Sequence, residues 1–297
     1  MSGNKRAAAA IVFGLMLSPW LATGAAPAAD AKVANLTAAQ IVEKHIAARG
    51  GQQAWKAVQT LQLTGKVEAG RADSYQRSMA LFKQDKRFRG VSLEKKAAAQ
   101  APDEAKPDLS KQVQLPFTLD VKRPHKSRME IVFAGQTAWQ VYDGVHGWKF
   151  RPFLNRKDVE PFTADEARTE AKQDNLEGPL FDYAAKGAKV TLDKVEPVEG
   201  HAAYKLKLVA KDGTTRYVWV DASTFLDVKV QGTPRRMDGK MHDVFVMQRD
   251  FRQVAGVMVP FVLETSVDGY PDTHKMLIEN VAVNPKLDDA RFTKPHA

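Results

Sequence analysis

Residues 61–68 read LQLTGKVE. Leu61, Leu63, Gly65 and Val67 alternate with polar residues, a period of two that predicts a β-strand with one buried face. The same alternation of apolar and polar residues predicts strands at about 75–84, 86–93, 117–122, 127–133, 137–142 and 147–150. It also predicts strands over most of the chain after residue 188. The sequence therefore predicts a mainly antiparallel β protein of roughly ten or eleven strands.

Helical signals flank this stretch on its N-terminal side. Thr37-Ala38-Ala39-Gln40 is a capping box, and the apolar residues that follow it predict a helix that ends at Gly50-Gly51. A second short helix is predicted from Gln52 to Val58, with Trp55 facing inward.

A second pair of helices is predicted in the middle of the chain. Thr163 to Glu166 form another capping box, which begins a polar helix that runs to about Asp174. The apolar patch of Leu180, Phe181 and Tyr183 predicts one more helix, ended by Gly187.

The architecture we expect follows from the need of a large sheet to protect its edge strands and to bury one of its faces. A large antiparallel sheet must protect its edges and cover one face. The economical solution is an open, strongly curved sheet, an incomplete barrel, with the few helices packed on its concave side. Residues 36–292 contain no linker that would separate two cores, whereas residues 96–111 are small, charged and proline-punctuated and predict an exposed insertion.

The first 29 residues have the composition of a cleavable signal peptide. Lys5 and Arg6 precede an apolar run that is too short and interrupted to span a membrane, and Ala26-Pro27-Ala28 suits cleavage after Ala28 or Ala29. We therefore expect an exported, periplasmic protein with no membrane span after processing. Because the chain has no cysteine, we also expect no lipidated anchor.

Composition narrows the chemistry further. The absence of cysteine excludes disulfides, thiolate metal sites and a cysteine nucleophile. The formal net charge of +9 suits contact with anionic lipid headgroups, while a nucleic-acid partner is not expected because no arginine–aromatic motif accompanies the charge. No metal-ligand spacing, nucleophile elbow or phosphate loop is present, so we expect no cofactor, no metal and no enzyme activity.

Aromatic residues offer two interpretations. Trp139 and Trp148 lie on neighbouring predicted strands, and Tyr217 and Trp219 share one face of a third. They could fill an ordinary core, or they could form the wall of an apolar cavity between the sheet and its helices. A packed core would take up no ligand, whereas a cavity would bind an alkyl chain.

Several motifs occur in an order that resembles the exported outer membrane lipoprotein-sorting protein group. They are AARGG at 47–51 with Trp55, VKRPHKSRME at 121–130, Tyr142-Asp143-Gly144 with Gly147-Trp148, LEGPL at 176–180, and DFRQVAGVMVP at 250–260 followed by Asn284, Leu287 and Phe292. The resemblance implies the fold of the periplasmic carrier LolA and the receptor LolB, an open β-barrel with a helical lid over an apolar cavity. It also implies reversible binding of acyl chains without covalent chemistry.

These expectations give one main function and one alternative. The main hypothesis is a periplasmic carrier or chaperone for lipids or lipidated proteins, with a partner protein of the inner or outer membrane as its delivery site. The alternative is an envelope sensing or assembly module that binds a protein partner without transport. The candidate cavity and lid residues are Ile41, Trp55, Leu180 and Phe181 on predicted helices and Trp139, Trp148 and Trp219 on predicted strands.

Overall fold

The computed structural model of the protein describes residues 33–69, 113–133, 135–152, 156–173 and 176–294. The predicted leader at 1–29, the predicted strands at about 75–84 and 86–93, and the predicted insertion at 96–111 lie outside these residues. The elements below are numbered along the described ranges.

The described helices are short and lie near the start, middle and end of the chain. They are α1 (Ala38–Ala48), α2 (Gln52–Ala57), α3 (Ala164–Ala171) and a 3-10 helix (Asp289–Phe292). The strands are β1 (Thr60–Ala69), β2 (Val113–Lys122), β3 (Lys126–Phe133), β4 (Gln136–Tyr142), β5 (Gly147–Arg151), β6 (Arg156–Pro161), β7 (Lys189–Val198), β8 (His201–Val209), β9 (Thr215–Asp221), β10 (Asp227–Gln231), β11 (Arg235–Met237), β12 (Lys240–His242), β13 (Val244–Val254), β14 (Val257–Val267) and β15 (Thr273–Val283).

One large antiparallel sheet contains 13 of these strands, in the order β6-β5-β4-β3-β2-β1-β15-β14-β13-β10-β9-β8-β7. Its edges among the described strands are β6 and β7, so the sheet is open, and β11 and β12 form a separate hairpin. The predicted open, curved antiparallel sheet with a few helices is confirmed. Its strand number exceeds the ten or eleven expected, and β6 and β11 fall where no strand was predicted.

The two predicted capping boxes form at the starts of α1 and α3. The Gln40 amide N–H donates to the Thr37 hydroxyl, and the Thr37 N–H donates to the Gln40 side chain at 2.9 Å. The same reciprocal pair joins Thr163 and Glu166. Each box satisfies amide groups that a helix leaves without an internal partner.

The predicted helix around Leu180, Phe181 and Tyr183 is wrong. Residues 179–187 form consecutive turns instead. The reason lies at Asp182, whose φ of 50° is left-handed and cannot continue a right-handed helix. Leu180 and Phe181 are nevertheless fully buried.

The two faces of the sheet differ in what covers them. Leu61, Phe117 and Phe261, from three different strands, pack in one buried cluster with Trp55 of α2 and with Phe181. We call the face that carries these side chains the inner face. Because side chains alternate along a strand, the intervening residues form the outer face.

Candidate ligand-binding face

A strip of half-buried apolar side chains crosses the inner face. Its members pack against the buried cluster while remaining partly exposed, and they are Val67, Leu119, Met129, Ile131, Leu263 and Met276. Strand register places them in two groups: Met276 pairs with both Val67 and Leu263, and Leu119 pairs with Met129, two positions from Ile131. On β2 the buried Phe117 lies between the two groups, because Val67 pairs with Leu115. We call these six residues the inner strip.

The buried cluster beside the inner strip is covered by α2 and by the turns that contain Phe181. The Trp55 and Phe181 rings meet edge to face with centroids 5.9 Å apart, and each side chain is almost completely buried. This geometry is favourable for aromatic pairs. The pair therefore forms a fixed apolar boundary next to the strip.

A buried ion pair fastens the corner between α1 and α2 to the sheet. Arg49 Nη1 lies 2.7 Å from Asp227 Oδ1, and Arg49 Nε donates to the Met258 carbonyl at 3.0 Å. The Arg49 carbonyl accepts from the Met258 N–H and from Trp55 Nε1. Arg49 therefore connects α1, α2 and two strands of the sheet through one residue.

A second arginine fastens α2 to the turns around Phe181. Arg123 donates to the Val58 and Trp55 carbonyls at 2.8 and 3.1 Å, and its Nη2 lies 2.8 Å from Glu177 Oε2. Arg123 and Glu177 belong to two of the motifs noted in the sequence. Those motifs thus supply contacts that hold the cover over the buried cluster.

The helix α3 is attached differently, through polar contacts. Lys149 Nζ lies 2.5 and 2.6 Å from the two oxygens of Glu166, and the Ser127 hydroxyl donates to Glu170 at 2.5 Å. At the other end Lys172 Nζ lies 2.7 Å from Asp212 Oδ2, in the turn between β8 and β9. None of the residues of α3, all of which are described, is buried.

Electrostatics at the first of these contacts favours the ion pair. Burial alone would raise the pKa of the Glu166 carboxyl, but hydrogen bonds from Lys149 and from the Thr163 N–H lower that pKa below its ordinary value. Glu166 is therefore a carboxylate at neutral pH, and Lys149 has an anionic partner.

The seven candidate residues fall into two groups, four buried residues from the helices and turns and three tryptophans from the strands. Trp55 and Phe181 meet in the buried cluster beside the inner strip. Ile41, on α1, and Leu180 are also fully buried. The three remaining tryptophans lie on the outer face. Ligand contact stays a prediction for all seven.

Strand register explains where Trp139 and Trp148 lie. Trp139 pairs with Glu130, which stands between the inner-face residues Met129 and Ile131. Trp148 pairs with Val141, whose neighbours Gln140 and Tyr142 pair with Met129 and Ser127 on the inner side. Trp139 packs against Val141, Leu287 and Phe292, so the C-terminal segment covers it.

Trp219 lies on the outer face of the other half of the sheet. It meets Phe245 edge to face at 5.9 Å, and Phe245 pairs with Ser266, an odd number of positions from the inner-face residue Leu263. The ammonium groups of Lys205 and Lys229 lie over its ring at 5.4 and 4.6 Å. Among the described residues, these ammonium groups and apolar side chains of the same sheet surround the tryptophan.

Sequence reasoning missed Arg49, Asp227, Lys149 and Glu166. Lys149 stands between Trp148 and Phe150, so the alternation suggested that the two aromatics face inward and the lysine outward. The structure reverses this order. For Arg49 a signal existed, because it stands within the AARGG motif, but nothing in the sequence pointed to its partner 178 residues away.

Other features of the described residues are polar or local. A cavity of about 340 Å³ is lined by Asp238, Lys240, His242, Gly269, Tyr270 and Pro271. Within the described ranges no three or more His, Asp or Glu side chains are arranged to hold a metal ion. No helix in the described part of the chain is long and apolar enough to cross a membrane.

Comparison with known proteins gives matches among solved structures. No protein-family model matches the chain, and no curated protein does. The chain is similar to a LolA superfamily protein from Nitrosomonas europaea, at 15% identity and TM-score 0.49, over 87% of this chain and 98% of that chain. It is similar to a domain described as an outer membrane lipoprotein-sorting protein from Vibrio parahaemolyticus, at 11% identity and TM-score 0.48, over 86% and 95%.

A third solved structure, a DUF1329 family protein from Desulfovibrio piger, is 12% identical with a TM-score of 0.49, over 86% of this chain and 97% of that chain. Two of the three descriptions name the group that the sequence motifs resemble.

Proposed function

We propose that this protein is a periplasmic carrier that binds the acyl chain of a lipid or lipidated protein on the inner strip. Binding is reversible and involves no covalent step. The observation that carries the proposal is the inner strip itself, a set of half-buried apolar side chains that pack against a buried cluster.

The chemistry of the inner strip suits an alkyl chain. Its six members are aliphatic or thioether side chains with no polar atom that needs a partner apart from the weakly polar sulfur. Removing an alkyl chain from water stabilises a complex by about 0.8 kcal/mol for each buried methylene. Met129 and Met276 add adaptability, because an unbranched thioether fits irregular shapes.

The attachment of α3 suits a cover that opens. Helices that pack through an apolar face are costly to detach, whereas α3 is held by ion pairs and hydrogen bonds that water can replace. Lys172 and Asp212 are both substantially exposed, so the contact at that end is the weaker one. We infer that α3 moves to admit and release the acyl chain.

The basic surface supports an envelope location and lipid partners. The net charge of +9 favours approach to anionic headgroups, where a carrier would load or deliver. The expected signal peptide supports the same compartment.

A binding experiment tests the proposal directly. Lipids that copurify with the protein are identified by mass spectrometry, and the uncharged probe N-phenylnaphthylamine is titrated by fluorescence. The informative variant is Ile131→Glu, which places a charge in the inner strip. The matched control is Val132→Glu, because Val132 is the next residue in β3 and is 39% exposed on the outer face.

We expect Ile131→Glu to weaken probe binding by at least tenfold, and we expect Val132→Glu to bind like the unmodified protein. A protein that purifies without lipid and takes up no probe would overturn the proposal. Equal effects of the two substitutions would place binding away from the inner strip.

A further inference from the structure

A lysine is buried on the otherwise largely apolar inner face. The Lys149 side chain in β5 is only 7% exposed. Strand register places it on the inner face, because Lys149 pairs with Gln140 and Gln140 pairs with the inner-strip residue Met129. Two strand spacings separate the Lys149 and Met129 backbones, about 10 Å. An ammonium group is therefore placed at the end of the inner strip.

The contacts of this ammonium are few. Among the described residues, Glu166 is the one hydrogen-bond and ion-pair partner of Lys149 Nζ, through its two carboxylate oxygens. An ammonium has three donor hydrogens. Because burying a charge without a partner is costly, Lys149 needs an anion in any arrangement of α3 that leaves its ammonium group shielded from water.

Glu166 does not have the same need. Its side chain is 41% exposed, and it also accepts from the Thr163 N–H in the capping box of α3. When α3 moves away, Glu166 keeps its cap and gains water, whereas Lys149 loses the partner that compensates its charge. The two members of the pair therefore differ: Lys149 requires a replacement anion when α3 moves, whereas Glu166 does not require a replacement cation.

We propose that Lys149 is the headgroup subsite of the acyl-binding face and that the ligand is an amphiphile with an oxyanion head, a carboxylate or a phosphate. The oxyanion takes the place of Glu166 at Lys149 Nζ while the alkyl chain lies on the inner strip. Ligand binding and release of the N-terminal end of α3 are therefore coupled. This inference rests on the proposed function and adds the ligand's charge to it.

The test compares ligands that share a chain length and differ in the head. Decanoate, decyl phosphate and decanol each displace N-phenylnaphthylamine, and their affinities are measured for four proteins. These are the unmodified protein, Lys149→Met, Lys149→Arg and Lys172→Met. Lys172→Met is the matched control, since it removes the other lysine anchor of α3 and leaves the inner face unchanged.

We expect the unmodified protein to bind one or both anionic ligands at least tenfold more tightly than decanol. Lys149→Met removes this preference, and the loss of its contact with Glu166 changes the three affinities only by a common factor. Lys149→Arg retains the preference. Lys172→Met changes all three affinities by the same factor. The ratio of decanoate to decyl phosphate affinity identifies which oxyanion the subsite prefers.

Equal affinities for the three ligands, or a preference that survives Lys149→Met, would overturn the inference while leaving the proposed function in place. Failure of every ligand and of the probe to bind would overturn both. Thermal unfolding of each variant shows that it is folded, and Lys149→Arg keeps the test decisive if Lys149→Met unfolds.

Discussion

Arg49 and Asp227 form an ion pair whose two side chains are only 5% and 4% exposed. The second oxygen of Asp227 accepts from Gln248 Nε2 at 3.0 Å, and the Arg49 guanidinium lies 5.1 Å from the centroid of the Trp55 ring. Both charges are therefore compensated inside the protein. The pair joins the helical corner to strand β10, so its loss would affect the cover of the inner face.

Removing one member of this pair leaves an uncompensated buried charge. We expect Asp227→Ala to lower the free energy of unfolding by about 3–5 kcal/mol, the usual cost of breaking a buried ion pair, as measured by urea denaturation. The control is Arg168→Ala, which breaks the exposed pair with Asp165 and should cost less than about 1 kcal/mol. Similar losses in the free energy of unfolding for the two variants would show that burial does not raise the cost of breaking the Arg49–Asp227 pair.

A histidine next to this pair links stability to pH. Burial lowers the pKa of His45 below its ordinary value of 6.5, although the nearby Asp227 carboxylate opposes the shift. The unfolded chain then binds a proton that the folded protein does not, so stability is full above pH 6.5 and falls as the pH drops below it. The slope should approach about 1.4 kcal/mol per pH unit.

Urea unfolding between pH 7.5 and pH 5 measures this slope. We expect His45→Gln to reduce it, because the replacement does not take up a proton. His146→Gln, which replaces a histidine whose side chain is 71% exposed, is the matched control for the loss of an imidazole. A slope that His45→Gln leaves unchanged would assign the proton uptake to other groups.

The sequence predicted the elements that local patterns control. The capping boxes at Thr37 and Thr163 fix helix starts through residues three positions apart, and both form as predicted. Alternation located most strands, because a sheet with one buried face imposes a period of two. The strand β6 was not predicted, because its sequence RKDVEP lacks such alternation.

Side-chain direction was the part that the sequence could not supply. Trp148 and Phe150 are large and apolar, so hydrophobicity alone suggests that they face the helices. The outer face of this sheet is also packed, by Leu287 and Phe292 against Trp139. When both faces carry apolar contacts, alternation gives the period of a strand but not which face is covered by helices.

Gly65 tests how closely the strands beside the inner strip approach. A Cβ at this position would lie 2.0 Å from the Leu277 carbonyl oxygen, at an irregularity in the pairing of β1 with β15. Because the obstacle is backbone, we expect Gly65→Ala to cost about 1–3 kcal/mol in urea denaturation. Gly232→Ala is the control, since its Cβ would approach Val244 no closer than 3.4 Å, an ordinary van der Waals contact. Equal stabilities would show that β15 shifts freely.

Tryptophan fluorescence distinguishes the inner face from the outer face as the site of binding. Trp55 packs in the cluster next to the inner strip, whereas Trp219 lies on the outer face under Lys205 and Lys229. Two variants are needed, in which Phe replaces every tryptophan of the folded domain except Trp55 or except Trp219. A fatty acid brominated in mid-chain then serves as a quencher that acts over short distances.

We expect the bound brominated chain to quench Trp55 emission several-fold more strongly than Trp219 emission, because only Trp55 lies beside the proposed path of the alkyl chain. Saturation of the quenching at the affinity measured by probe displacement links it to the same site. Stronger quenching of Trp219 would place the ligand on the outer face, where the sequence alone had suggested an aromatic wall. The inner strip would then be packing surface, and Lys149 would have no ligand to bind.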